Sequence, residues 1–156
     1  FIRVEADEIT YNLHILLRFE LEKALVEDEL EVTDLPAAWN DAMEKYLGIS
    51  PKTDALGVLQ DVHWSFGLIG YFPTYSLGNL YAAQFMASMR RDLTDLDDQI
   101  GAGDFSRLLG WLRENIHAHG CHYTASELVR KVTGEPLNSD YLMLYLESKY
   151  SDLYDL

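Results

Sequence analysis

Residues 4–29, VEADEITYNLHILLRFELEKALVEDE, decide the fold class. Ile9, Leu13, Leu16, Leu17, Leu21 and Ala24 recur at spacings of three and four. That spacing puts them on one stripe of a long amphipathic helix. A second line carries Arg3, Asp7, Tyr11, His14 and Arg18 at the same spacing, so these side chains stack along one face and reach each other. Two readings of that line stand. It is a solvated face whose exposed ion pairs contribute little, or it is the polar wall of a cleft.

Outward from this stretch the helical pattern repeats. Thr33-Asp34-Leu35-Pro36 reads as a helix start, with a capping side chain and a proline in the first turn. Trp39, Met43 and Tyr46 follow, and Gly48 is placed to end the helix in a left-handed conformation. Thr53 or Asp54 caps a short helix after the Ser50-Pro51 turn. Ser76 or Leu77 starts another, carrying Leu80, Tyr81, Gln84, Phe85 and Met89. Thr94 to Asp98 reads as an acidic connection, and Asp104 caps a helix bearing Leu108, Leu109, Trp111, Leu112 and Ile116. Thr124-Ala125-Ser126-Glu127 is a capping box, and Thr133-Gly134 closes its helix. Asn138 or Ser139 opens a last helix with Tyr141, Leu142, Leu144, Tyr145, Leu146 and Tyr150. No strand-like alternation competes. The expectation is an all-α fold, a single helical domain over residues 1–156.

Composition narrows the partners. A hydrophobic content of 48% excludes wholesale disorder. The net charge of -14 argues against a nucleic-acid partner and offers no basic anchor to an anionic membrane. No apolar run approaches the roughly 20 residues that cross a bilayer. The single cysteine, Cys121, forms no internal disulfide, so a cytoplasmic location is the default. The chain begins Phe1-Ile2-Arg3, without an initiator methionine, and reads as a piece of a longer polypeptide.

Polar chemistry concentrates where the helical pattern breaks. Gly57-Val58-Leu59-Gln60-Asp61-Val62-His63-Trp64 is followed closely by Gly70-Tyr71-Phe72-Pro73-Thr74-Tyr75. Together they carry a carboxylate, an imidazole, an amide, an indole and two phenols at a backbone interruption, which is the pattern of a site. On a helix Asp61 and His63, two apart, do not face each other, so each needs partners from elsewhere. Packing roles compete: His63 as a hydrogen-bonded core histidine, Trp64 as core. Pro73 pushes Phe72 towards an extended conformation, so Tyr71 and Tyr75 are expected on an irregular loop. There they either cover the core or offer O–H groups to a substrate oxygen.

His117-Ala118-His119-Gly120-Cys121-His122 resembles a metal-binding tract. However, His117 and His119 are two apart at a helix end, and Gly120 suits a C-terminal cap. No second ligand cluster of fitting spacing accompanies them, so capping is favoured over metal binding. A His-Glu-x-x-His motif, a phosphate-binding glycine loop and a nucleophile elbow are all absent from the sequence.

The residues carry a family resemblance. Ile2-Arg3-Val4-Glu5-Ala6-Asp7 resembles the I-R-x-x-A-D motif of the M32 metallocarboxypeptidases, the carboxypeptidase Taq family. Gly57 through Trp64 matches that family's G-x-x-Q-D-x-H-W motif at every specified position. Gly70 to Gln84 and Tyr141 to Tyr150 also resemble its C-terminal region, so the resemblance covers essentially the whole chain. It implies a mostly helical, typically homodimeric, zinc-dependent enzyme that removes C-terminal residues from peptides. In that family zinc is held by the histidines of His-Glu-x-x-His and a downstream glutamate, with the motif glutamate as general base. None of these is in this sequence, nor are the family's H-P-F and D-x-R-x-T motifs.

The chain is therefore expected to be the C-terminal portion of such an enzyme, to hold no metal ligand of its own and to be inactive alone. Its expected partners are a peptide C-terminus, the N-terminal part of the same polypeptide and a second copy. The motif match makes Arg3 the candidate for a substrate's terminal carboxylate, which suits a planar guanidinium, with Asp7 orienting it. His63 is expected to hydrogen-bond peptide carbonyls or a developing oxyanion. Tyr75, or as second choice Tyr71, is expected to donate to that oxyanion or to the terminal carboxylate. Gln60 and Asp61 are expected to hold the motif together. Surface left by the absent part is expected to show as self-association or as an apolar groove near Tyr71, Phe72 and Tyr75. The competing expectation is a stand-alone helical interaction module with an aromatic surface and no catalysis.

Overall fold

A computed structural model describes residues 7–155. Arg3, with the rest of the Ile2–Ala6 motif stretch, lies outside the described residues. Among those described, every regular element is helical, in line with the all-α pattern. The chain divides into two compact units, Phe1–Leu77 and Gly78–Leu156.

In the first unit, helix α1 spans Glu8–Val26. Asp7 starts it: Oδ1 accepts from the backbone N–H groups of Ile9 at 2.9 Å and Thr10 at 2.8 Å. Two donors left open at a helix N-terminus are thereby satisfied. The buried face of α1 consists of His14, Ile15, Leu17, Arg18, Leu21 and Glu22. The apolar stripe is only partly the interior: Ile9 and Leu16 stand 44% and 46% exposed. The helix is rotated so that half of its inner face is polar, which is tolerated when those groups find partners.

Helix α2, Leu35–Leu47, carries Pro36 in its first turn and ends at Gly48, whose φ of 65° is left-handed. No side chain caps its start. A 3-10 turn over Val32–Asp34 leads in instead. α1 and α2 enclose a core of Leu17, Leu21, Trp39, Met43 and Val58. Three further 3-10 turns, Asp54–Leu56, Val58–Gln60 and Trp64–Phe66, carry the chain onward.

Gly57 joins the first two of these turns against α2. A Cβ there would lie 3.1 Å from Pro51 Cβ and Cγ and 3.3 Å from Trp39 Nε1. All three residues are buried, and neither ring can swing aside without disturbing the core. Gly57→Ala is therefore expected to destabilise the first unit by about 1–3 kcal/mol, the usual cost of overpacking. The urea midpoint of the purified variant checks this, and an unshifted midpoint rejects the tight fit.

Helix α3 spans Pro73–Asp92, so it begins at the proline and not at Ser76 or Leu77. Proline suits a first helical position, where its missing N–H is not needed. As a result Tyr75 stands on the first turn of a helix and not on an irregular loop.

In the second unit, α4 (Leu96–Gly101), α5 (Ser106–Asn115), α6 (Ala125–Thr133) and α7 (Asp140–Tyr154) follow. The acidic connection expected at Thr94 to Asp98 is partly α4, because Leu96 turns inward and joins Met89 and Trp111 in the core. Trp111 Nε1 donates to Asp92 Oδ2 at 2.9 Å, and that bond is the first cause holding the Asp92 carboxyl below its ordinary value. Fully buried Gln84 donates to Thr133 Oγ1 at 3.0 Å and to the Pro136 carbonyl at 3.1 Å, and accepts from the Asn138 N–H at 2.9 Å. The Thr124–Glu127 capping box forms, and Gly134 closes α6 at φ 89°. His117–His119 is a 3-10 turn ended by Gly120 at φ 51°.

Candidate functional site

The site of the first unit is built on the inner face of α1. Arg18 and Asp61 form an ion pair whose side chains are only 4% and 1% exposed. The guanidinium carbon sits 4.8 Å from the Trp39 ring centre, 4.7 Å from Phe72 and 5.8 Å from Trp64. Such cation–π contacts reach about 2 kcal/mol or more when desolvated. Arg18 Nε also donates to His14 Nε2. One turn on, Glu22 accepts from Trp64 Nε1 at 2.8 Å through Oε1 and from the Gly70 N–H at 3.1 Å through Oε2. A single buried carboxylate thus ties both ends of the Trp64–Gly70 segment to α1.

Asp61 does more than pair with Arg18. Its Oδ1 accepts from the Trp64 N–H at 2.6 Å, and its Oδ2 lies 3.7 Å from His63 Nδ1. Local geometry brings this carboxylate and imidazole together after all. The backbone at Asp61 is extended, with φ -71° and ψ 126°, and not helical, so residues two apart turn to the same side. Next along, His63 Nε2 is 3.2 Å from Tyr75 Oη. The His63 ring stacks on Tyr71 with centres 5.8 Å apart and meets Phe72 at 4.7 Å. Tyr71 and Tyr75 meet edge to face at 5.3 Å, and Tyr11 meets Tyr75 at 6.4 Å.

Exposure runs in order along this chain of groups. Asp61 is buried, the His63 side chain is 25% exposed, and Tyr71 is 43% exposed. The expected groove is not lined by Phe72, which is 2% exposed and packs beneath the imidazole. Burial pushes the Tyr75 phenol above its ordinary pKa, and Tyr71 and Tyr11 add to the shift. Tyr75 therefore keeps its hydrogen at neutral pH, as a donor must. A buried anion, an imidazole within its reach and a half-buried protonated phenol make an arrangement able to donate hydrogen bonds to an oxygen-rich ligand.

The remaining candidates fall elsewhere. Asp7 caps α1 and is exposed, its carboxyl held below the ordinary value first by the Thr10 side chain. Arg3 lies outside the described residues. Gln60 Oε1 is buried and has no hydrogen-bond partner among the described residues. Around the helix end at His117, His119 and His122 both lie against the Tyr123 ring, at 5.3 and 4.7 Å. Among the described residues no group of three His, Cys, Asp or Glu side chains converges to hold a metal ion, and no helix is long and apolar enough to cross a membrane. Sequence reasoning placed Arg18 and His14 on a polar line but gave them no role, and it missed Glu22. The signal was there: His14, Arg18 and Glu22 follow at steps of four beside Leu17 and Leu21, so a polar row shares the core face.

A family model described as carboxypeptidase Taq (M32) metallopeptidase matches residues 1–150. The chain is similar to carboxypeptidase 1 of Bacillus subtilis, 51% identical over 154 residues, which are 99% of this chain and 31% of that protein. It is similar to thermostable carboxypeptidase 1 of Thermus thermophilus, 52% identical over 153 residues, 98% of this chain and 30% of that one. Its backbone resembles the crystal structure of the M32 carboxypeptidase from Deinococcus radiodurans at a TM-score of 0.96 and 46% identity, over 99% of this chain and 31% of that one. The chain thus spans less than a third of the length of these relatives.

Proposed function

We propose that this chain, which belongs to the carboxypeptidase Taq (M32) metallopeptidase family, is the C-terminal part of a zinc-dependent carboxypeptidase and supplies that enzyme's grip on the free end of a peptide. The observation that carries the reading is the meeting of His63 and Tyr75, twelve residues apart, at 3.2 Å beside the exposed Tyr71 ring. Tyr75 donates to the oxyanion that develops at the scissile carbonyl or to the terminal carboxylate. His63 supports it, and Tyr71 lines the approach. Arg3 takes the terminal carboxylate, by its place in the family motif, with Asp7 near it in sequence. Gln60 and Asp61 hold the motif in shape. The family's His-Glu-x-x-His motif is not in this sequence, so the proposed zinc is assigned to ligands outside it, and no step here passes through it. A cytoplasmic location, a homodimeric parent enzyme and one continuous domain over residues 1–156 belong to the same proposal.

A second reading, a helical interaction module without catalysis, draws on the exposed Leu59, Val62, Phe66 and Ile69. Under the first reading this face is covered by the rest of the polypeptide. Complementation separates the two. The purified chain is incubated with zinc and a blocked dipeptide, with and without the preceding part of the Bacillus subtilis relative. Release of the C-terminal residue by the mixture alone, abolished by a chelator, supports the enzymatic reading. A stable but inert mixed complex supports the interaction module.

A further inference from the structure

We propose that Arg18 is a positioning residue: through Asp61 it fixes which ring nitrogen of His63 carries hydrogen, and so which way the Tyr75 hydroxyl points. The proposal rests on the enzymatic reading for what Tyr75 meets, but its geometry stands apart from that reading.

Asp61 has one oxygen committed to the Trp64 N–H at 2.6 Å. The other pairs with Arg18 and faces His63 Nδ1 at 3.7 Å. A carboxylate oxygen beside a ring nitrogen favours N–H at that atom and opposes a lone pair there. Nδ1 of His63 therefore carries hydrogen. In the neutral ring Nε2 is then bare, and it accepts the O–H of Tyr75 across 3.2 Å. The Tyr75 hydroxyl is thereby aimed along the imidazole edge, and a substrate oxygen that takes the place of Nε2 as acceptor receives the same hydrogen while both protons stay where they are. Among the described residues the titratable groups around the ring are Asp61, Tyr71 and Tyr75, with Arg18 paired to Asp61 and Tyr11 against Tyr75.

Arginine suits this post for a geometric reason. Its flat guanidinium lies among the Trp39, Phe72 and Trp64 rings while Nε serves His14 and a terminal nitrogen serves Asp61. A lysine ammonium is a compact point charge without that fork.

The test is nitrogen-15 NMR of the 156-residue chain labelled at histidine. It is recorded at a pH high enough that the His63 signals no longer move with pH. The expected spectrum gives His63 a protonated Nδ1 and a bare Nε2. Asp61→Asn, which keeps the shape and removes the charge, is expected to exchange the two resonance positions. Arg18→Lys is expected to give a mixture of both forms. A bare Nδ1 in the unaltered chain overturns the proposal, as does Nδ1–H persisting in both variants with the Trp64 and Phe72 signals in place.

Should Arg18→Lys not fold, the guanidinium protons of the unaltered chain decide. Slow exchange with solvent that Asp61→Asn abolishes supports the assignment, and fast exchange overturns it. No peptide is cleaved in this experiment. A bare Nδ1 beside an active complemented enzyme sinks this inference alone, whereas Nδ1–H beside an inert mixture sinks the enzymatic reading.

Discussion

Arg18→Met should cost the first unit about 3–5 kcal/mol, because removing one partner of a buried ion pair strands the other charge. Asp61 cannot escape to solvent: its side chain is 1% exposed, and one oxygen is fastened to the Trp64 backbone. Methionine fills the space among the Trp39, Phe72 and Trp64 rings but brings no charge and no hydrogen bond for His14. Against a whole-domain stability of about 5–15 kcal/mol, that loss leaves the unit marginal or unfolded. Guanidinium denaturation followed by circular dichroism measures it. The double variant Arg18→Met with Asp61→Leu removes both charges and should recover much of the deficit, since apolar replacement of a buried pair is often neutral or better. A single variant as stable as the parent chain would mean that the pair contributes nothing.

Tyr75→Phe should lower the turnover of the complemented enzyme by about tenfold or more, towards the 10²–10³ lost with an oxyanion donor. The substitution deletes one oxygen and keeps the ring that Tyr11, Tyr71 and His63 pack against, so folding is not at issue. The direction of the Tyr75 shift matters to the interpretation. Burial raises the phenol's pKa, so the hydroxyl stays a donor through neutral pH and is lost only in strongly alkaline solution. The defect should therefore appear in kcat across the neutral range. Unchanged steady-state kinetics in a normally assembled complex would remove Tyr75 from the chemistry.

How far the sequence could be read differs from helix to helix. Caps and glycine stops needed only local chemistry, and Thr124 with Glu127, Gly48 and Gly134 are where that chemistry puts them. The inner face of α1 was harder. Hydrophobic spacing counted Ile9 and Leu16 as interior, yet His14, Arg18 and Glu22 took the buried positions. Arg18 and Glu22 are held there by Asp61, Trp64 and Gly70, more than forty positions away, and periodicity carries no information about such partners. Asp61 and His63 were judged on a helix they do not form. A single extended residue at Asp61 reversed the conclusion. Pro73 reads as a break in the sequence and is a beginning in the structure, so Tyr75 stands on a helical turn beside the imidazole. The family motif names Asp61 and His63 without saying how they touch.

The three indoles are unequally shared. Trp39 and Trp64 stand edge to face at 6.0 Å in the first unit, while Trp111 is held by the Asp92 carboxylate in the second. Each half of the molecule therefore carries its own fluorophore in its own electrostatic setting. Emission from a chain keeping only Trp111 would report on one half, and emission from a chain lacking it on the other. Melting of the two halves, together or in sequence, is thus open to direct optical observation without any added label.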